Sequence, residues 1–317
     1  MVKKIQQQQL NQKESVNKNR SINKIITSLK TTEGEGFIVN RSFPTNSISY
    51  IDPFLLLDEI GPMDFKPGEA KGAPDHPHRG FETVTYLIEG IFEHKDSSGN
   101  SGKLNAGDIQ WMTAGSGVIH SEMPEVEFRK KGGRLHGFQL WVNLPQKDKM
   151  INPYYQDIPS SEIPVVKLSE DSGHVKVIAG EAFDVKSVIK TKIPIQYLHF
   201  TLSSGSEIIH QLQSNYNAFV YVISGEGTFG DDEKYAKRGN VIIFNNDGEN
   251  IKIKSSKDAD EPLQFLFIAG VPLNEPVARY GPFVMNTKQE IYQAIEDYRN
   301  GKLGVITHLT LLWETIY

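Results

Sequence analysis

The chain has 317 residues, 38% of them hydrophobic, enough to bury the cores of two ordinary domains or of one large β protein. It has no cysteine, which excludes disulfides and thiolate chemistry, and no apolar run near the roughly eighteen residues of a membrane span. The formal net charge is −5, yet residues 1–30 hold seven Lys or Arg against one Glu, so the rest stands near −11 and matches nucleic-acid phosphates poorly.

Residues 1–22 read as a disordered basic arm. Lys3-Lys4, the glutamines from Gln6 to Gln9 and scattered asparagines give low hydrophobicity and no period. The arm is rich in Lys, Gln and Asn rather than Arg and Ser, and lacks the apolar region of a secretory signal. Organelle import is the rival reading. From Ile22 the chain turns apolar. Gly36 to Val39 and Phe54 to Leu57 read as buried strands, with Gly61-Pro62 and Pro67-Gly68 as turn signals. Phe81 to Glu89, Ile91 to Lys95, Ile109 to Met112 and Phe138 to Val142 follow as short β-branched and aromatic strands. That density argues a β-barrel or sandwich. The proline-rich, polar stretch from Pro145 to Pro164 reads as a linker. A second set of strands follows at Val175–Ile178, Gln196–Leu202, Ala218–Ile223, Val241–Phe244 and Leu263–Ile268. Thr287 or Asn286 with Glu290 then forms a capping box, Ile291, Ala294, Ile295 and Tyr298 fall at helical spacing, and Asn300-Gly301 ends the helix.

The stretch from Pro74 to Pro124 carries the chemistry. His76 and His78 are two apart, as are His120 and Glu122. Residues two apart on a strand share a face, so two strands can aim three imidazoles and a carboxylate into one space. Such a set suits a divalent first-row metal and leaves coordination positions open. Glu82 shares the parity of His76 and His78, as a ligand or as a partner of one. Trp111 and Met112 are read as core. The two sets of strands align, with Thr83–Gly90 on Ala218–Gly225; this puts Gln211 at the place of His76, Gln213 at that of His78 and Asn217 at that of Glu82. The second half therefore has no His-x-His, and a duplicated barrel with one metal site, in the first half, is expected. His199 and His210 are read as satisfied structural residues.

The run from Asp75 to Leu87 and that from Gln110 to Pro124 resemble the pirin family of bicupin proteins, its plant pirin-like members included. Ile51–Glu59, Gln139–Pro145 and Tyr280–Thr287 extend the likeness, which covers about Val39 to Gly301. The resemblance implies an all-β fold of two tandem cupin (double-stranded β-helix, jelly-roll) barrels with a short C-terminal helix. The expected division is 23–150, a linker at 151–165, 166–285, and a helix with a tail at 286–317. It further implies one Fe(II) per chain, other divalent first-row metals being alternatives, with His76, His78, His120 and Glu122 at the ligand positions. Glu82 matches a residue that in pirins stands behind the ligands. The apolar tail after Leu303 departs from the polar, basic end usual in the family.

Some members are quercetin 2,3-dioxygenases, which implies a flavonol and dioxygen as substrates, with Glu122 both ligand and base. Others are described as nuclear, iron-dependent coregulators of transcription factors, and plant relatives as partners of a G-protein α subunit. The family implies residence in nucleus and cytoplasm. A monomer without membrane or nucleic-acid partner is expected; a storage-type bicupin is disfavoured, since it does not need this ligand set.

Overall fold

A computed structural model describes residues 18–33 and 36–307. The contacts divide the chain into two compact units, one of residues 1–31, 40–59 and 158–274, the other of 32–39, 60–157 and 275–317. Each contains a cupin barrel, and a short C-terminal helix follows.

The first unit is a jelly roll of two antiparallel sheets. Its larger sheet runs, in spatial order, Ile22–Thr27, Asn240–Phe244, Asn217–Ser224, Leu263–Gly270, Ile195–Leu202, Gly173–Ala179 and Val165–Lys167. Its smaller sheet runs Glu207–Gln211, Asn250–Ser255, Glu226–Phe229 and Lys234–Lys237. Alternate side chains of both close a dry core, with Phe200, Val220 and Phe265 from one sheet meeting Phe229, Ile251 and Ile253 from the other. In the second unit, Tyr154–Ile158, Ile109–Thr113, Phe81–Glu89, Gly133–Asn143 and Phe54–Phe65 follow one another in one sheet, the last strand running in from the first unit. Ala73–His78, Val118–Pro124, Phe92–Asp96 and Ser101–Leu104 make the other. Strand for strand the two paths agree, which is the duplication that the repeated pattern predicts.

Four features differ from the expectations. The expected arm ends sooner: Arg20 is fully buried, and Ile22–Thr27 is the edge strand beside Asn240–Phe244. Residues 1–17 lie outside the described residues. Strand pairing over long sequence separation leaves no local signal, so an amphipathic edge strand here reads as part of a polar arm. The sequential division at 23–150 and 166–285 accordingly differs from the contact grouping, in which 23–31 and 40–59 belong with 158–274. The expected linker contains the strand Tyr154–Ile158, laid beside Ile109–Thr113, where Gln110 donates to Asp157 at 3.1 Å. Finally, Gly61-Pro62 is no turn but lies inside the 12-residue strand Phe54–Phe65. Gly61 has φ +74°, and a Cβ there would collide with the Leu135 carbonyl. The glycine therefore permits a close approach within a strand rather than a reversal of the chain.

The charged end of Phe54–Glu59 is buried because each charge is met. Arg41 grips Asp58 with two bonds of 2.9 and 2.6 Å, and Tyr221 donates to Glu59 at 2.8 Å. At the other edge, Arg20 donates to the carbonyls of Gly248, Tyr216, Gln213 and Ser214 and to Asn246 Oδ1, at 2.6 to 3.1 Å. Replacing it strands several buried acceptors. Arg20→Ala should cost about 3 kcal/mol or more in chemical denaturation. Lys18→Ala, which breaks only an exposed pair with Asp247, should cost less than about 1 kcal/mol. Equal effects would show that the edge strand holds without its buried guanidinium.

Candidate metal centre

Ala73–His78 and Val118–Pro124 pair antiparallel, and the register sets His76 directly opposite His120. His78 lies two residues beyond His76 on the same strand, so its ring returns to the same side. The ring centroids are 4.4 Å apart for His76 and His120, 4.9 Å for His78 and His120, and 4.7 Å for His76 and His78. One nitrogen from each lies within 4.8 Å of the other two.

These nitrogens are lone-pair donors. His120 is fully buried and neither of its nitrogens has a hydrogen-bond partner; Nδ1 of His78 is likewise unpartnered. Burial, then the neighbouring His76, holds both rings well below the usual histidine range, so both are neutral. His76 Nδ1 lies 2.7 Å from the Pro74 carbonyl, which assigns its proton there and leaves Nε2 as the donor toward the cluster. Buried unpaired nitrogens are costly to desolvate, and a shared cation would satisfy one nitrogen of each ring together. The residues therefore fit a metal.

The turn after His78 is held from several sides. Gly80 has φ +89°, and a Cβ would collide with the Val284 carbonyl, so only glycine lets the strand Phe283–Met285 lie against this turn. Arg79 points away from the histidines. Its Nε donates to the Ser116 carbonyl at 2.7 Å and its Nη1 to Asp297 at 2.9 Å. Asp297 stands on the buried side of the helix Lys288–Arg299, which the Thr287–Glu290 capping box starts as expected. Lys302 and Arg79 together hold its carboxyl far below the usual carboxylate range. Lys149, also buried, donates to the carbonyls of Gly80 and Val284 and to Asn143 Oδ1 at 2.7 to 3.1 Å. Burial lowers its pKa to about 8. The apolar residues at the start of the tail pack here too: Leu303 joins Phe283, Met285, Ile291 and Ala294. The tail from 308 onward lies outside the described residues.

Glu122 lies on the same buried side of its strand as His120, but its oxygens are not part of the three-histidine group. Thr85 donates to Oε1 at 2.8 Å and Gln139 to Oε2 at 3.2 Å. Thr85 and Gln139 are themselves cross-strand partners, so one rung of the sheet carries both donors. The register irregularity next to His120 lies in its partner strand Ala73–His78, where His76 faces His120 and Ala73 faces Glu122; against Phe92–Asp96 the register of His120 and Glu122 is unbroken. Glu82 is fully buried and accepts from its cross-strand partner Thr113 at 2.6 Å, outside the histidine group. Trp111 and Met112 are buried in the core.

Sequence reasoning missed His94, which sits across the ladder from Glu122. It stacks on Tyr155, and its Nε2 lies 3.4 Å from Asp157. The spacing His94-x-Asp96 was the signal available. Thr85, His94, Gln110 and Glu122 line a cavity of about 10 Å³ closed by Phe92 and Leu104, room for about one water molecule. On the other flank, Trp141 packs on Phe81 at 4.3 Å and on His78 at 5.2 Å, and the Arg279 guanidinium lies 4.7 Å over the Trp141 ring. His76 is the least enclosed of the three histidines, so the approach to the cluster lies on its side.

Two outcomes follow. His120→Ala should lower metal affinity by more than the roughly 10- to 100-fold that losing a supporting contact costs, as measured by metal content after dialysis; full occupancy would remove His120 from the ligand set. For the pH, His78 and His120 have folded pKa values below their unfolded value of 6.5. As pH falls below about 6.5 the unfolded chain gains protons that the folded chain refuses. Metal-stripped protein should therefore melt at lower temperature at about pH 5.5 than at about pH 7.5; an unchanged or higher melting temperature would contradict the buried neutral pair.

The pirin family model matches residues 36–142, and the model of the pirin C-terminal cupin domain matches residues 197–304. A pirin-like protein of Solanum lycopersicum is 45% identical over 287 residues, covering 90% of this chain and 93% of the relative. Pirin of Homo sapiens is 44% identical over 283 residues, covering 88% and 92%. A crystal structure titled quercetin 2,3-dioxygenase, from Acinetobacter baumannii, superposes with a TM-score of 0.85 at 39% identity, over 91% of this chain and all of that one. With two matching domain models in sequence and a three-histidine cluster in the first barrel, the chain belongs to the pirin family.

Proposed function

We propose that the chain is a mononuclear non-heme iron dioxygenase acting on a flavonol, with Fe(II) held by His76, His78, His120 and Glu122. The observation that carries the reading is the cluster of unpaired buried imidazole nitrogens at the end of a cupin barrel. Its resemblance to a structure titled quercetin 2,3-dioxygenase supplies the substrate class. When bound, the iron provides open positions for a chelating oxygen and for dioxygen.

The protein's own groups divide the remaining work. The three histidines are neutral donors and add no charge, so a metal with the Glu122 carboxylate keeps a net positive charge that favours an ionised substrate oxygen. Glu122 is the base for the substrate hydroxyl proton. Thr85 and Gln139 both donate to its carboxylate, which fixes its direction. The cavity behind Glu122 is too small for a ring, so a flavonol has to approach from the His76 side. Trp141, packed between Phe81 and the Arg279 guanidinium, backs His78 from the other flank.

Glu122→Gln keeps the size and an oxygen donor and removes the charge and most of the basicity. At matched iron occupancy, flavonol oxidation should fall by roughly 100- to 10,000-fold, the range for losing a general base. Turnover equal to the parent's would leave Glu122 as a ligand at most. A parent that binds iron yet consumes neither flavonol nor dioxygen would end the enzymatic reading and turn attention to metal-dependent partner binding.

A further inference from the structure

The mouth of the second barrel is not a filled relic. Sequence alignment puts Gln211 where the first barrel has His76. The structure instead turns the neighbouring His210 inward from the strand Glu207–Gln211 and leaves Gln211 exposed. His210 lines a cavity of about 890 Å³, within the range of small-molecule sites. The lining is mixed: Phe183, Asp184, Gln196, Gln213 and Tyr216 contribute, with a lysine and another acid at the edge and no cluster of one sign.

The proton positions in this mouth can be assigned from the hydrogen bonds. Gln196 Nε2 donates to the Glu181 carbonyl at 2.8 Å, which fixes the orientation of the amide. Gln196 Oε1 then faces His210 Nε2 at 3.1 Å, and since an amide oxygen only accepts, Nε2 carries the proton. Burial lowers the His210 pKa to about 4, so the ring is neutral near pH 7. Nδ1 is left as a bare acceptor on a ring enclosed by Phe183, Phe200 and Phe267.

A second observation points the same way. Glu181–Ala182 and Val185–Lys186 form a small hairpin whose turn residues, Phe183 and Asp184, have φ +53° and +59°. Two left-handed residues are the mark of a tight hairpin turn normally built from Asn-Gly. A bulky aromatic in that conformation is strained, and such strain persists where the side chain has a task. The Phe183 ring lies 5.5 Å from His210, over the cavity, yet is 39% exposed. The opposite wall is stiffened by Arg20, which holds the carbonyls of Gln213, Ser214 and Tyr216.

We propose that this mouth is a second, metal-independent binding site for a neutral ring compound bearing free hydroxyl groups, capped by Phe183 and read by His210. A hydroxyl donates to Nδ1 of His210, the ring lies against Phe183, Asp184 accepts from a further hydroxyl at the rim, and Gln213 accepts from or donates to another. The balance of charge disfavours an anion. Phenols and sugars share this chemistry, and the test separates them.

Full-length, metal-stripped protein is titrated by calorimetry with phloroglucinol in one arm and methyl β-glucoside in the other. Saturable binding of one probe is expected, and it should persist in His120→Ala, which separates this site from the metal centre. Phe183→Gly should weaken binding by roughly tenfold or more without lowering the melting temperature, because glycine accepts the left-handed backbone. His210→Gln keeps a donor toward Gln196 and loses the Nδ1 acceptor, and should weaken binding similarly. Absence of saturable binding by both probes, or affinity unchanged in both variants, overturns the proposal. A lower melting temperature in Phe183→Gly with unchanged affinity also overturns it, by making Phe183 a packing residue only.

Discussion

Three imidazoles share one small space between Ala73–His78 and Val118–Pro124, where burial keeps His78 and His120 neutral. Each nitrogen left unpaired there has lost its water and gained nothing in the protein. The surrounding chain behaves accordingly. It spends a glycine with positive φ at Gly80, a buried ion pair between Arg79 and Asp297, and a buried ammonium at Lys149 on holding one short turn. Burying charges without partners is costly, and burying paired ones seldom stabilises more than apolar packing would. Their use here is best understood as positional: they hold the backbone of His78 and Gly80 in place so that the rings keep their mutual geometry.

The helix Lys288–Arg299 gains its meaning from this. Its apolar spacing marks Ile291 and Ala294 as the packed side, and both are buried. Asp297 lies on that side as well, and a carboxylate on a packed face signals a cation that must be reached. Arg79 is that cation, 218 positions away in sequence. The helix is thus a clamp for the histidine turn within its own unit rather than an appended end.

The separation between legible and hidden features follows from range. Period-two patterning made most strands readable, and the His-x-His and His-x-Glu spacings led to three residues that the fold does bring together. Strand parity also placed Glu122 on the correct face. Parity could not show that Thr85 and Gln139 meet on one rung to take up the carboxylate. Arg20 shows the same limit. A lone arginine in a basic, Asn-rich stretch looks solvated, and only the five acceptors from residues 213–248 make it a buried keystone. Sequence reports what a residue can do; the partner that decides what it does is often two hundred residues away.

The duplicated barrel sharpens the point, because the same scaffold carries two different solutions to a polar barrel mouth. In the first, histidines face one another with buried nitrogens of His78 and His120 that no protein group meets, a state that calls for a cation. In the second, one histidine is tied to an amide that is itself tied to the backbone, and the imidazole is satisfied on one side by protein alone. Edge-to-face contacts with Phe200 and Phe267 replace the company of other imidazoles. A single neutral ring with one fixed proton makes a poor metal site, since one donor cannot offset the dehydration of a divalent ion. It makes a good hydrogen-bond reader, since its polarity does not change near pH 7. Loss of the His-x-His spacing in the second half therefore changes the chemistry available to that mouth without emptying it.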